Sequence, residues 1–344
     1  MWCVALLDFL AKKNEGRLKM SFRIFITGSG IAEEALQYLH KENCIFEVGD
    51  PTDTSEDLVN KFRTFDPDGI IVRQGKITKE VQDAPKNLKV ICKHGVGIDN
   101  IDVEAATQRG IPVMFTPLAN YESVAEHTLA LMLSLARRIP LQDKKIRDGT
   151  FDKKYYGGLE LLGKTLGIIG FGKIGRRFCE LVMPFRMNVL VYHPSRTVEN
   201  LPQSVTKVEN AEDVFDRADI ISLHCPLTPE TKAMINKQSL EQMKQGAFII
   251  NTARGGLIHE RDLSQALQNG QIGGAALDVF ECEPPDTNNP LFMMDNVIVS
   301  PHVAGASDNS LKNMGMGAVQ NVVSVLKGDS IDMESLINKE VIGS

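Results

Sequence analysis

Four side chains suited to proton transfer and anion binding stand at the ends of three strand-like runs in the second half of the chain. Asn251-Thr252-Ala253-Arg254-Gly255-Gly256 ends the run Ala247–Asn251. Asp278-Val-Phe-Glu281-Cys-Glu283-Pro284-Pro285 ends Ala275–Val279, and Ser300-Pro-His302-Val-Ala-Gly305 ends Val297–Ser300. In an open parallel sheet, ligands bind outside the carboxyl ends of the strands, which makes Arg254, Asp278, Glu283 and His302 candidates for one crevice. A histidine beside a carboxylate is an acid–base pair, because the carboxylate fixes the tautomer and favours the imidazolium. A guanidinium fork suits a substrate carboxylate. Taken singly, Arg254 also reads as a helix cap or surface ion pair, and Glu283 as a solvated loop acid. The order of all four carries the reading.

A glycine turn precedes them. Thr165–Ile169 is a short apolar run with the character of a buried strand, and Lys173–Val182 reads as a helix. Between them lies Gly170-Phe171-Gly172-Lys173-Ile174-Gly175. In a dinucleotide fingerprint the first glycine makes the tight turn. The second lets backbone approach a pyrophosphate, and the third lets helix pack on strand. The helix then offers free N–H groups and its positive dipole end to phosphate. A second glycine pair, Gly28-Ser-Gly30, also follows a strand-like run, but Glu33 occupies the third glycine position and the match fails.

The elements that must hold these groups alternate along the chain. Phe22–Thr27, Phe46–Val48, Gly69–Val72, Leu88–Cys92 and Pro112–Phe115 read as strands. Ile31–His40, Ser55–Arg63 and Val103–Arg109 read as helices between them, which predicts βα units on a parallel sheet. Glu122–Arg138 is apolar nearly all round and is expected to be buried between two domains. Pro140–Gly158 reads as polar and turn-rich. After the fingerprint, Val189–Tyr192 and Ile220–His224 join the strand-like runs already named to predict a doubly wound sheet, with helices at Gln238–Lys244 and Glu260–Gln268. Ser307–Leu326 reads as a helix returning to the first domain.

At 344 residues the chain is long enough for about two domains, each with its own core. A net charge of −6 gives no basic face for nucleic acid. Cys3, Cys44, Cys92, Cys179, Cys225 and Cys282 are scattered, without zinc spacing, and read as free thiols of a reducing cytoplasm; no metal is expected. The apolar start is broken by Asp8 and followed by its lysines, which is wrong for a secretory signal. Residues 1–19 are therefore expected to be a loosely attached extension.

From about residue 22 to residue 328 the chain resembles the D-isomer-specific 2-hydroxyacid dehydrogenases. The resemblance rests on Gly95-Val-Gly97-Ile-Asp99-Asn-Ile-Asp102, Ser123-Val-Ala-Glu-His-Thr-Leu-Ala-Leu, the fingerprint and Pro226-Leu-Thr-Pro-Glu-Thr. Asn251-Thr-Ala-Arg-Gly, Asp278-Val-Phe-Glu-Cys-Glu-Pro and Pro301-His-Val-Ala-Gly complete it. It implies an α/β fold of two doubly wound parallel-sheet domains: a flavodoxin-like substrate domain of residues 20–117 plus 303–344, and a Rossmann NAD(P)-binding domain of residues 118–302. It also implies roles. Arg254 holds the substrate carboxylate and polarises the carbonyl, His302 exchanges the proton, and Glu283 keeps His302 protonated for reduction. Asp278 and the backbone near Ala253 hold the nicotinamide carboxamide. Val96 and Gly97 offer amides to the carboxylate, and Asn120 lies beside the substrate. The coenzyme runs along the fingerprint, His193, Ser195, Arg196 and Thr197, Cys225, Pro226, Thr252, Ala253, Arg254, Asp278, His302 and Gly305. His94 stands evenly between a substrate contact and a structural residue. His40, His127, His224 and His259 are expected to be structural.

Finer expectations follow. Arg186 stands where the family carries a glycine, which puts a left-handed cap in question. Phe151 stands where the family often has tryptophan, a change expected to matter little beyond packing. No acid occupies the ribose position, which His193-Pro-Ser195-Arg196-Thr197 fills instead; NADP(H) is expected ahead of NAD(H). Arg73, with Lys93 and His94 adding positive charge, suits a substrate bearing a second polar or anionic group, such as hydroxypyruvate or 3-phosphohydroxypyruvate; glyoxylate is the simpler alternative. A homodimer through the nucleotide domains is expected, with Phe151, Tyr155, Tyr156, Leu159, Leu161 and Leu162 contributing. Few residues follow Gly328, and no regulatory domain is expected. The competing reading is a dinucleotide-sensing binding protein of corepressor type. A formate dehydrogenase is disfavoured, because that branch carries Gln where Glu283 stands.

Overall fold

The computed structural model describes residues 21–342 apart from 152, 154–156 and 194–200. The expected extension 1–19 lies outside the described residues. The chain divides into two compact units, one closing at Asn120 and resuming at Asp308, the other Tyr121–Ser307.

The first unit runs β1 (Arg23–Thr27), α1 (Glu33–Lys41), β2 (Ile45–Val48), α2 (Ser55–Phe65), β3 (Gly69–Val72), α3 (Lys79–Asp83), β4 (Val90–Lys93), α4 (Val103–Gln108) and β5 (Val113–Met114). All pairs are parallel, in the order β2-β1-β3-β4-β5, which is the flavodoxin-like winding. The central strands are apolar on both faces because helices cover both. Ile24, Ile26 and Ile71 pack into one core, and Phe25, Ile70 and Val72 into the other. The helix Asp308–Lys327 completes the first core: a Cβ on Gly69 would meet Val322 Cγ1 at 2.7 Å. Thr54 and Asp57 form a capping box that starts α2.

The second unit opens with α5 (Tyr121–Arg137) and α6 (Ile139–Arg147). It continues with β6 (Thr165–Ile169), α7 (Lys173–Val182), β7 (Asn188–Tyr192), β8 (Val205–Lys207), α8 (Glu212–Arg217), β9 (Ile220–Leu223), α9 (Lys237–Gln242), β10 (Ala247–Asn251), α10 (Glu260–Gln268), β11 (Ile272–Leu277) and β12 (Val297–Val299). Its parallel sheet is ordered β12-β11-β10-β9-β6-β7-β8, and the winding reverses between β6 and β9. That is the Rossmann arrangement.

Three expectations change. α5 is not buried all round: Val124, Ala125, Leu131, Met132 and Leu135 form its covered face, while Glu126 and Ala130 face water. A small residue such as Ala130 is exposed at little cost. The stretch expected to be turn-rich contains α6, which begins with Pro140 in its first turn after left-handed Arg138. None of its residues is buried, so no apolar period announces it. β8 and α8 were not anticipated either, each too short to display a period. Beyond α7 the turn Met183–Phe185 ends in Arg186 at φ 52°, ψ 42°. The left-handed cap therefore survives without its glycine. No helix among the described residues is long and apolar enough to cross a membrane.

Candidate active site

The fingerprint glycines divide their labour. Gly170 has φ 98°, and a Cβ there would sit 2.5 Å from the Cys225 nitrogen, so β6 ends tight against the turn that follows β9. A Cβ on Gly175 would lie 2.2 Å from the Gly170 carbonyl oxygen, which closes helix on strand. Among the described residues, none would come within 4 Å of a Cβ on Gly172. Gly172 is also the N-cap of α7 and provides no side-chain cap. An open approach to uncapped amides fits a dinucleotide pyrophosphate. Phe171 is buried, with the Arg176 guanidinium 4.8 Å from its ring centre, and Lys173 and Ile174 begin the helix. Ile169 pairs with Tyr192, whose carbonyl accepts from the Gly170 amide at 2.9 Å. His193 thus leaves its strand beside the glycine turn. Ser195, Arg196 and Thr197 lie outside the described residues. Cys225 is buried, and burial pushes its thiol up to about 11, so it lines the turn as a neutral group. The exposed Pro226 accepts the Thr231 hydroxyl at 2.7 Å.

Three neighbouring strand ends bring the acid–base residues together. His302 Nδ1 lies 2.7 Å from Glu283 Oε2. The other carboxylate oxygen, Oε1, accepts from the Phe280 amide at 3.1 Å. Partial burial pushes the Glu283 carboxyl up, but the His302 and Phe280 hydrogen bonds and the positive charges of His302 and Arg254 outweigh it and hold the group below its ordinary range. His302 itself has φ 54°, a left-handed conformation rare for a residue with a Cβ. Its amide donates to the Asp278 carbonyl at 2.7 Å.

Asp278 is fully buried. Its Oδ1 accepts from the Ser300 hydroxyl at 2.6 Å and the Val303 amide at 2.9 Å, and its Oδ2 from the Ala304 amide at 2.8 Å. The carboxylate expected at the nicotinamide therefore spends both oxygens on the loop that carries His302, and Gly305 follows directly on that loop. Sequence reasoning overlooked Ser300. A hydroxyl two residues before a loop histidine is the signal that was there to be read.

The Arg254 turn is locked from within. Asn251 Nδ2 donates to the Arg254 carbonyl at 2.8 Å, and its Oδ1 accepts from the Ala253 amide at 3.0 Å. Arg254 Nη1 donates to the Ala253 carbonyl at 2.6 Å. Thr252 is buried against Thr128, with 2.9 Å between their hydroxyls. A histidine fixed through Nδ1 presents Nε2 for proton exchange, and a nearby guanidinium can hold an anion.

The first unit holds the residues assigned to the substrate. Arg73 follows β3, and its amide donates to Thr27 Oγ1 at 3.1 Å. Its Nε and Nη1 are buried without a hydrogen-bond partner among the described residues, and burial lowers the guanidinium's affinity for its proton. A Cβ on Gly30 would be 3.5 Å from Nη1, so the glycine pair that fails as a fingerprint packs on this arginine. His94 is buried, its Nε2 likewise has no partner, and burial foremost, with the Arg73 and Lys93 charges, pushes it down to about 4. Val96 and Gly97 are half-exposed beyond Gly95, and Asn120 Oδ1 is buried without a hydrogen-bond partner among the described residues. Unpaired buried polar atoms are uncommon and point to a missing hydrogen-bonding group.

Of the remaining histidines, His40 packs edge-on against Phe46, His224 meets the Ser222 hydroxyl at 2.9 Å, and His259 faces Asp262. His127 Nε2 lies 3.2 Å from the Ser300 hydroxyl, which ties it to the loop of His302. Among the described residues no group of three or more His, Cys, Asp or Glu is placed to hold a metal.

Comparison with known proteins agrees with this geometry. Residues 129–304 match the family model described as D-isomer specific 2-hydroxyacid dehydrogenase, NAD binding domain. The chain is 40% identical to a glyoxylate reductase of Thermofilum pendens over 91% of its own length and 93% of the relative's. It is also 40% identical to a D-3-phosphoglycerate dehydrogenase of Archaeoglobus fulgidus, over 87% of its own length, but it spans only 56% of that protein. The solved TT0316 protein from Thermus thermophilus superposes with a TM-score of 0.84 at 35% identity, covering 92% of this chain and 99% of that one. With both windings, the glycine turn and the strand-end residues in place, the chain belongs to the D-isomer specific 2-hydroxyacid dehydrogenase family.

Proposed function

We propose that this chain is an oxidoreductase that interconverts a 2-oxo acid and a D-2-hydroxy acid with NAD(P)(H). The single observation that carries the reading is the His302–Glu283 pair at 2.7 Å, on a loop neighbouring the Arg254 turn. When bound, the nicotinamide supplies the hydride for reduction and takes it back in oxidation. Arg254 binds the substrate carboxylate and draws electron density from the carbonyl. His302 gives a proton to the carbonyl oxygen in reduction and removes it from the hydroxyl in oxidation. Glu283 stabilises the imidazolium and fixes its tautomer through Nδ1. Val96 and Gly97 offer amides to the carboxylate, and Asn120 contributes its unpaired oxygen.

The substrate carries a second polar or anionic group, as in hydroxypyruvate or 3-phosphohydroxypyruvate, with glyoxylate the smaller alternative. The partnerless nitrogens of Arg73 support this. The absence of an acid at residues 193–197 after β7 supports NADP(H) ahead of NAD(H). The working form is a homodimer joined through the second unit; Phe151, 79% exposed, and Leu162, 58% exposed, support a covered surface there, whereas Leu161 is buried within its own chain. Tyr155 and Tyr156 lie outside the described residues. Free thiols suit a cytoplasmic enzyme. Turnover with any 2-oxo acid separates this reading from a corepressor-type sensor.

The test is a panel of glyoxylate, hydroxypyruvate, 3-phosphohydroxypyruvate and pyruvate with NADPH and with NADH. Turnover is expected, with the highest kcat/KM for NADPH and a substrate bearing the second polar group. No turnover with any of them would overturn the enzyme reading; a higher kcat/KM with NADH would overturn only the coenzyme preference.

A further inference from the structure

Helix α5 touches both loops that carry the reacting side chains. Ser123 and His127, one turn apart, share a row on its surface, and Thr128 begins the next row. Ser123 Oγ donates to the Ala304 carbonyl at 2.8 Å. His127 Nε2 lies 3.2 Å from Ser300 Oγ. Thr128 Oγ1 lies 2.9 Å from Thr252 Oγ1, two residues before Arg254.

The hydrogen-bond directions follow from the proton count. A hydroxyl has one proton to give. Ser300 gives its proton to Asp278 at 2.6 Å, so the bond between Ser300 and His127 requires a proton on His127 Nε2. Thr128 gives its proton to the Val124 carbonyl at 2.7 Å, so Thr252 donates to Thr128. The chain of bonds His127–Ser300–Asp278 ends on the carboxylate that holds the amides of Val303 and Ala304. Those bonds keep His302 at φ 54°, a backbone conformation that persists only where its surroundings impose it.

We propose that Ser123, His127 and Thr128 are positioning residues of the reaction: one helix sets the His302 loop and the Arg254 turn in a common register. None of the three touches the reacting atoms. Their effect falls on the distance between proton donor and carboxylate clamp, a geometry in which about 1 Å of misplacement costs on the order of a hundredfold in rate. The inference rests on the roles assigned to His302 and Arg254.

The experiment uses the full chain and four variants: His127→Asn, His127→Gln, Thr128→Val and Thr128→Ser. The readouts are kcat and KM for the best 2-oxo acid, the dissociation constant of reduced coenzyme from its fluorescence, and the melting temperature. A Gln amide nitrogen reaches the place of Nε2 and an Asn amide does not; Ser keeps the hydroxyl that Val removes. His127→Asn and Thr128→Val are expected to lower kcat by about ten- to a hundredfold with coenzyme binding unchanged, and Gln and Ser to restore most of it. A purely structural role would lower the melting temperature and leave kcat of the folded fraction intact, and would overturn the proposal. So would equal kcat for His127→Asn and His127→Gln. Should Thr128→Val not fold, the His127 pair decides alone, since that side chain is 27% exposed and tolerates replacement. Wild-type turnover tests the reading beneath the proposal, and the variant-to-wild-type ratios test the proposal itself; an inactive wild type overturns both.

Discussion

A Cβ built on Gly255 would lie 1.9 Å from both the carbonyl carbon and the carbonyl oxygen of Phe280. The turn that carries Arg254 thus rests directly on the backbone that leads to Glu283. Phe280 also donates its amide to Glu283 at 3.1 Å, so the same peptide segment seats the arginine turn and orients the carboxylate.

Gly255→Ala is therefore expected to force the two loops apart. Overpacking of this kind costs about 1–3 kcal/mol, and displaced reacting groups lower kcat/KM by on the order of a hundredfold. Steady-state kinetics beside a thermal melt check both. A variant with wild-type kinetics would show that the contact does not set the site.

His302→Ala should lower kcat by about 10²–10⁴-fold while coenzyme affinity holds. Glu283 titrates below its ordinary range because its bonds to His302 and Phe280 and nearby positive charge outweigh the opposing effect of burial. A depressed carboxylate is fully ionised above its unfolded value and loses its stabilising pairing as pH falls through the folded one. Reduction should accordingly persist into the acid side of the ordinary carboxylate range. In Glu283→Gln the imidazolium loses its partner, and the alkaline limb of the reduction profile should move to lower pH. An unmoved limb would remove Glu283 from its role.

Arg73→Ala should lower kcat/KM for 3-phosphohydroxypyruvate by about tenfold or more, as loss of a charge-assisted bond does, and change glyoxylate little. Equal effects on both substrates would return Arg73 to a structural role.

His94 and His224 are pushed down from 6.5 to about 4 and about 3, in both cases chiefly by burial. Between 6.5 and those values the unfolded chain binds protons that the folded chain refuses, so stability rises with pH across that window and falls on acidification. Melting temperature measured from pH 7 to pH 4 should drop, and His224→Gln should flatten the slope. An unchanged slope in that variant would contradict the burial argument.

Arg186→Gly relieves a left-handed residue that carries a Cβ. A gain of about 1 kcal/mol is expected, or a melting temperature higher by about 2–4 °C in a unit of this size. No gain would mean that the arginine side chain compensates.

The strand Thr165–Ile169 and the helix Lys173–Val182 stand where the residues predict them, since glycines bound the strand and a buried parallel strand is apolar throughout. The places of Arg254, Glu283 and His302 at successive strand ends were legible because titratable residues are conspicuous against apolar runs. The hydrogen bonds of Asp278 were not, because its partners Ser300, Val303 and Ala304 belong to the following strand and its loop. α6 escaped because it buries no side chain. His127 was read as structural from its place on a helix; its tie to Ser300 depends on the register of α5 against β12, which no local pattern records.

The strand order has one more consequence. β6, β7 and β8 lie on one side of the winding reversal, while β9 to β12 lie on the other, with Arg254, Glu283 and His302 at the far strand ends. Each side is also an unbroken length of chain. Recombination with a relative in the connection between β8 and β9 would exchange the loop after β7 and leave the proton-transfer residues untouched. The fold thus keeps the segment after β7 and the strand ends bearing Arg254, Glu283 and His302 on two lengths of chain that can be inherited apart.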